Sequence, residues 1–213
     1  IIGTGRIAPR FVGEAKFVSG INIICAYNPE KESAQAFSRK CRIRCYTKDY
    51  ETFLGKVDAV YIASPNILHE EHSRLFLEHG KHVLCEKPIA VTAAGLRRLQ
   101  DLAGEKGLVY MEAIMLLHIA GRDVLHGAME KIGRVTSARL DFSQLSSQYV
   151  RLMEGGIPNA FNPRMAGGCL MDLGIYCVYA ALDLFGKPEE VRTAASLLPT
   201  GADGSGGSLW TYP

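Results

Sequence analysis

Three titratable side chains stand where their types and spacing could move a proton. Lys87 closes the run Lys81-His82-Val83-Leu84-Cys85-Glu86-Lys87-Pro88, an apolar stretch that ends in an acid, a base and a proline. Asp172 and Tyr176 lie four apart in Gly167-Gly168-Cys169-Leu170-Met171-Asp172-Leu173-Gly174-Ile175-Tyr176, after a loop rich in Gly, Pro and Asn. A phenol is a poor base at neutral pH: its reference pKa is about 10, and each unit of lowering takes about 1.4 kcal/mol of preferential phenolate stabilisation. A nearby ammonium and the positive end of a helix act in that direction, whereas a carboxylate closer than the ammonium opposes it. Each pair also has a plainer reading, Glu86 and Lys87 as a solvated pair at a strand end and Tyr176 as a buried phenol bonded to Asp172.

The elements that must hold these groups follow from the surrounding pattern. Residues 81–88 read as a buried strand whose carboxyl end delivers Lys87 to the rim of a sheet, where Pro88 stops strand pairing. Ligands of open α/β sheets bind at that rim. A helix from Gly168 to Phe185 places Asp172 and Tyr176 on one face near its N-terminus and turns Leu170, Leu173, Cys177 and Ala181 to a core. A third stretch, Ile1-Ile2-Gly3-Thr4-Gly5-Arg6-Ile7-Ala8, is a strand tail, a glycine turn and a helix start in that order. It fits G-x-G-x-x-A: Gly3 for the tight turn, Gly5 for close approach of a pyrophosphate, Ala8 for helix-to-strand packing. Thr4, Arg6 and Ile7 belong to the same turn, and phosphates would sit on the helix N-terminus. For Arg6, a pyrophosphate contact and plain solvent exposure are both open.

Taken together, G-x-G-x-x-A, Glu86-Lys87-Pro88 and Gly167-Gly168-x-Leu170-x-Asp172-x-Gly174-x-Tyr176 resemble the glucose-fructose oxidoreductase, inositol dehydrogenase and MocA family (Gfo/Idh/MocA) along essentially the whole chain. With Tyr rather than His at the last motif position, the chain is more similar to the dihydrodiol and xylose dehydrogenase branch than to the inositol branch. The resemblance implies an α/β protein with an N-terminal Rossmann dinucleotide-binding domain over 1–118. An α+β substrate and oligomerisation domain with an open, largely antiparallel sheet would follow over 119–213, incomplete at its C-terminal end. It further implies hydride transfer between NAD or NADP and a sugar, polyol or dihydrodiol carbinol. Tyr176 would then be the acid/base, Lys87 its electrostatic partner and substrate-hydroxyl donor, and Asp172 the orienter, with Glu86 anchoring the strand end. The loop Ala63-Ser64-Pro65-Asn66 would lie along the cofactor, and His69 would either contact it or start the next helix. Met115 and Leu117 stand where the family often has a Trp and an Arg; they and Leu116 read as core or pocket wall. Two other readings stay open, a catalytically silent NAD(P)-binding regulatory protein and an NAD-dependent lyase or glycosidase.

The remaining chain adds limits. After a helix from Arg6 to Val18, Ile21–Tyr27 reads as a strand ending at Asn28, where the acid that contacts the adenosine ribose usually stands. An amide can still bond a ribose hydroxyl but carries no charge to repel a 2′-phosphate, so NAD is only slightly preferred over NADP. His72 and His79 read as helix surface. Arg134–Phe142 alternates like a strand with one open face, residues 144–168 form a long irregular loop, and Thr200–Gly207 reads as a connector between strands. An uncovered sheet face invites a partner, giving a homodimer or higher oligomer.

With 24 basic and 22 acidic residues the net charge is +2, without blocks of one sign. That speaks against nucleic acid or a membrane surface and for a small-molecule substrate. The 6 Cys show no C-x-x-C or zinc-like spacing, which suits reduced thiols, no metal site and a cytoplasmic setting. No apolar run reaches the roughly 18 residues of a membrane helix. The absence of an initiating Met and the strand-like last residues read as an incomplete view of a longer protein.

Overall fold

Short apolar runs separated by amphipathic helices favour a parallel sheet, because parallel neighbours need a long crossover between them. The computed structural model describes residues 1–213 and divides into two units, Ile1–Ala113 and Ile114–Pro213. In the first, β1 (Cys25–Tyr27) pairs in parallel with β2 (Cys45–Thr47), and β3 (Ala59–Ile62), β4 (His82–Cys85) and β5 (Tyr110–Glu112) pair in parallel in that order. Ile2 joins the two sets by bridging Tyr27 and Ile62. Gly3 N–H donates to Tyr27 O (2.9 Å) and Ala63 N–H to Ile2 O (2.7 Å). The chain leaves Ile2 for β1 on one side and returns to β3 on the other, so strand order reverses at Ile2. In a parallel sheet all the turns that follow strands open on one edge, and the reversal makes a crevice there.

The helices of this unit are α1 (Ala8–Ala15), α2 (Lys31–Cys41), α3 (Glu51–Leu54), α4 (His69–Glu78) and α5 (Ala93–Glu105). Adjacent strand residues point to opposite faces, and Cys25 and Ala26 enter two different apolar clusters. One holds Ile62, Phe76, Leu77 and Val83; the other holds Ala8, Val12 and Phe37. Burying a side chain of the size of Phe76 or Leu77 stabilises by about 1.5–3 kcal/mol, so the sheet and its helices form one firm support. Thr92 caps α5, its hydroxyl accepting from Gly95 N–H at 2.9 Å. The strand expected over Ile21–Tyr27 is shorter, because only residues 25–27 find a paired neighbour and Ile21 lies half exposed.

In the second unit, α6 (Gly121–Ile132) and α7 (Tyr149–Met153) precede a helix that begins with a π turn over Leu170–Gly174 and continues as α8 (Ile175–Phe185). Gly186, at φ 73°, ends it. β6 (Glu190–Leu197) and β7 (Asp203–Thr211) form an antiparallel ribbon. Arg122 of α6 grips Asp183 of α8 with both Nε and Nη2, the shorter contact 2.6 Å, and His126 Nε2 lies 2.9 Å from the same carboxylate. The Arg122 and His126 hydrogen bonds lower the Asp183 pKa to about 2. A carboxyl depressed from its usual value near 3.9 contributes stability above that value and loses it as pH falls through about 2. We therefore expect the thermal midpoint advantage of wild type over Asp183→Asn to be full at pH 6 and to shrink between pH 4 and 2. Because the ion pair is solvated, the difference should be small. A constant difference across that range would contradict the assignment.

Several sequence expectations change here. Arg134–Phe142 forms no strand: extended backbone becomes a strand only when a neighbour takes its hydrogen bonds, and β6 and β7 pair with each other. Asp203–Gly207 is strand rather than connector, the turn being residues 198–202, with Leu198 N–H donating to Ala202 O at 2.8 Å. Pairing with Ala194 and Ala195 overrides the weak strand preference of glycine. The long loop contains α7 and two single turns, Asn159–Phe161 and Pro163–Met165. Met115 and Leu170 are half exposed, not core, and Leu116 and Leu117 are only partly covered. By length and composition Pro163–Phe185 could cross a membrane, against the expectation from apolar runs. The backbone nevertheless breaks inside it, at Ala166 (φ 53°) and Gly168 (φ 132°), and the segment carries Asp172 and Asp183.

Candidate functional site

In the first unit the crevice edge gathers the turns that the sequence singled out. At Gly3 the φ of 93° favours glycine, and an added Cβ would stand 2.5 Å from Ala63 O; the turn therefore packs on the Ala63–Asn66 loop with no room for a side chain. At Gly5 the nearest atom to such a Cβ is Ala63 O at 4.0 Å. Nothing in the protein requires glycine there, whereas a backbone approached by a ligand does. α1 opens directly behind this turn with no side chain capping it; Pro9 has no N–H, and Ala8, Arg10 and Phe11 N–H donate to Gly5 O and Ile7 O, so an anion there would meet the positive end of the helix dipole and the backbone of the turn itself. The residues present thus fit a dinucleotide pyrophosphate over Gly3, Thr4, Gly5, Arg6 and Ile7, with Arg6 on the exposed side.

Asn28 is tied into the same turn. Its Nδ2 donates to Thr4 Oγ1 at 2.7 Å, and its Oδ1 accepts from Glu30 N–H at 2.9 Å. The amide thereby joins the end of β1 to the glycine turn.

His69 is 1% exposed. Its Nδ1 lies 2.7 Å from Pro88 O and its Nε2 2.8 Å from Ser64 O. With its two ring nitrogens placed against backbone carbonyls the ring is a strut between the Ser64–Asn66 loop and the Lys87–Pro88 turn, at the start of α4. His72 corrects the surface reading: Nδ1 stands 3.0 Å from Ser64 Oγ, its ring packs edge-on against Tyr27, and burial lowers its pKa.

Lys87 is half-buried at the end of β4, and the Lys87–Pro88 peptide is cis. Glu86 is held by the hydroxyl of Tyr61, a buried ring stacked on Phe11 at 3.8 Å. Burial, then the Glu86 hydrogen bond, raises the Tyr61 pKa, so that phenol stays a donor. Beyond Pro88, Ile89 N–H donates to Glu112 Oε1 (2.7 Å) and Val91 N–H to Glu70 Oε1 (2.9 Å). Two carboxylates from neighbouring elements thus fix the turn that presents Lys87.

In the second unit, Asp172 is exposed and Tyr176 half-buried with its ring 5.5 Å from Phe142. The two are not on a plain α-helical face. The π turn over Leu170–Gly174 contains Asp172 and ends just before Tyr176, and such turns recur at functional sites. The helix start is not a bare positive end either: Asp203 Oδ2 accepts from Leu170 N–H at 2.7 Å and from Cys169 Sγ at 3.0 Å. Burial, then Asp203, pushes the Cys169 thiol up to about 11. Asp203, His72 and Tyr61 hold positions here that the sequence expectations did not assign to them. His72 could have been found from its spacing of three from His69 on one helix, and Tyr61 from its place in an apolar strand; Asp203 has no local signal, since its partners lie more than thirty residues away.

Residues 1–114 match the family model for the Gfo/Idh/MocA oxidoreductase family, NAD-binding Rossmann fold, and residues 128–213 match the Gfo/Idh/MocA C-terminal domain. A curated relative, scyllo-inositol 2-dehydrogenase (NADP(+)) of Bacillus subtilis (strain 168), is 37% identical over 100% of this chain and 65% of its own length. The trans-1,2-dihydrobenzene-1,2-diol dehydrogenase of Mus musculus is 34% identical over 100% of this chain and 64% of its own. The chain therefore spans just under two thirds of the length of these relatives. A 3-ketoreductase from Actinomadura kijaniata, crystallised with NADP and TDP-benzene, superposes with a TM-score of 0.80 at 25% identity, covering 99% of this chain and 65% of that one.

Proposed function

The chain belongs to the Gfo/Idh/MocA oxidoreductase family, and on that premise we propose that it moves a hydride between NAD or NADP and a carbinol of a sugar, polyol or dihydrodiol. The observation that carries the reading is the contrast between the two fingerprint glycines: Gly3 is required by Ala63, while Gly5 is required by nothing in the chain. When bound, the nicotinamide supplies the hydride acceptor or donor. The chain's own residues do the rest. Tyr176 takes the hydroxyl proton on oxidation and returns it on reduction, Lys87 holds the substrate oxygen and adds positive charge beside the proton transfer, and Asp172 orients the substrate. Glu86, gripped by Tyr61, keeps Lys87 in place.

The test is dinucleotide reduction by the full-length protein with scyllo-inositol, D-xylose and trans-1,2-dihydrobenzene-1,2-diol. Turnover with any of them supports the reading. Tight dinucleotide binding with no turnover of any sugar, polyol or dihydrodiol means a silent binding protein, and release of a leaving group without net NADH means a lyase or glycosidase.

Dinucleotide choice rests on Asn28. A neutral amide neither repels nor attracts a 2′-phosphate, so NAD and NADP should differ by less than about tenfold, or 1.4 kcal/mol, with NAD slightly ahead. Asn28→Asp keeps both structural contacts, since a carboxylate accepts from Glu30 N–H and from a reversed Thr4 hydroxyl, and adds a charge. It should sharpen NAD preference in kcat/KM; an unchanged ratio, or a hundredfold NADP preference in wild type, would refute the role given to Asn28.

The balanced charge and the free cysteines support a reading as a cytoplasmic protein without a nucleic-acid or membrane partner, and we infer a homodimer or larger oligomer. Val191, 49% exposed, and its register partner Trp210 lie on one face of the β6–β7 ribbon and are apolar surface of the kind a partner covers. Light scattering of the full-length protein at micromolar concentration should give at least twice the protomer mass, and a monomeric mass would count against assembly through this face.

A further inference from the structure

The second glycine of Gly167-Gly168 shows what fixes the helix that carries Asp172 and Tyr176. At Gly168 φ is 132°, and an added Cβ would lie 1.9 Å from Asp203 Oδ1. The other oxygen of that carboxylate accepts from Leu170 N–H (2.7 Å) and from the Cys169 thiol (3.0 Å). Leu170 is the residue at which the π turn begins, and Asp172 N–H, inside that turn, donates to Gly168 O at 3.1 Å. One carboxylate from the first residue of β7 therefore sets the first turn of the helix. It is itself held by the ribbon, since Leu197 is its register partner and the adjoining Ala202 is 2% exposed.

We propose that Asp203 is a positioning residue for the Asp172–Tyr176 pair: it fixes where the helix starts and where its π turn falls, and so the angle between the two side chains. Because the π turn covers Asp172 and ends before Tyr176, moving or losing it changes the rotation between the two side chains, and catalysis depends on such geometry. Gly168 is glycine for two reasons, its φ of 132° and the Asp203 carboxylate that occupies the space a side chain would need. The same contact closes the helix N-terminus to an anionic substrate group, since a carboxylate already neutralises it. The catalytic part of this inference rests on the proposed oxidoreductase reading; the structural part does not.

The experiment uses full-length protein labelled with 13C at tyrosine Cζ, the Tyr176 resonance being assigned by its loss in Tyr176→Phe. In Asp203→Ala that resonance should move, and in Asp203→Asn, which keeps an acceptor for Leu170 N–H, it should return most of the way. Gly168→Ala should lower the thermal midpoint, and adding Asp203→Ala should recover part of that loss because the clash is removed. With scyllo-inositol or whichever substrate turns over, Asp203→Ala should lower kcat about tenfold while KM and the dinucleotide Kd stay within about twofold. An unmoved Tyr176 resonance, or additive losses from Gly168→Ala and Asp203→Ala, overturns the proposal; so does an unchanged kcat. If Asp203→Ala does not fold, Asp203→Ser, whose shorter side chain gives up the Leu170 N–H contact, is read for a shift of the same resonance, and its absence is equally decisive. Failure of wild type to turn over any substrate counts against the oxidoreductase reading alone, leaving the resonance and the midpoints to decide the role of Asp203.

Discussion

Tyr176→Phe and Lys87→Met should each lower kcat by about 10² to 10⁴, the range in which a positioned acid/base acts, and the double variant should lose little more than either single one. Groups that act as a unit are not additive, because in the proposed mechanism the charge of Lys87 has nothing left to assist once the proton acceptor is gone. Tyr176→Phe removes one oxygen from a half-buried ring that rests on Phe142, so stability and dinucleotide affinity should barely change. Lys87→Met keeps the stem of a side chain on a turn pinned by Glu112 and Glu70, so the protein should fold. Near-normal kcat in either single variant would remove that residue from the mechanism, and losses that simply multiply would show two independent roles.

The second large effect separates two glycines of one motif. Gly3→Ala should destabilise the protein by about 2–4 kcal/mol, from a strained positive φ together with a clash against backbone that cannot move aside. Gly5→Ala meets only Ala63 O at 4.0 Å, so it should leave the ligand-free thermal midpoint within a few degrees, yet weaken NADH or NADPH binding at least about tenfold, or 1.4 kcal/mol. Fluorescence titration of the reduced dinucleotide together with thermal melts reads both. Equal affinity of wild type and Gly5→Ala would mean that no ligand backbone approaches there, and with it would go the observation that carries the functional reading.

What the sequence by itself determined is the part written in local chemistry. Glycine spacing at Gly3 and Gly5, the apolar run ending at Lys87, and the Asp172-to-Tyr176 segment each declare a turn, a strand end or a helix within a few residues, because backbone freedom and apolar periodicity act over that range. Short apolar runs between helical stretches pointed to a parallel sheet, and the resemblance to the family implied its Rossmann form.

The tertiary structure decided what depends on partners distant in the chain. Whether extended backbone is a strand depends on a neighbour, which β6 and β7 find in each other and residues 134–142 do not. His69 and His72 sit three apart on α4, and neither lies on open surface; only the fold shows that one bridges Ser64 and Pro88 while the other packs between Ser64 and Tyr27. The start of the helix bearing Tyr176 is fixed by Asp203, a residue that reads in sequence as part of a glycine-rich connector. A carboxylate captures orphan N–H groups wherever the fold brings it, and no local pattern records which helix end that will be.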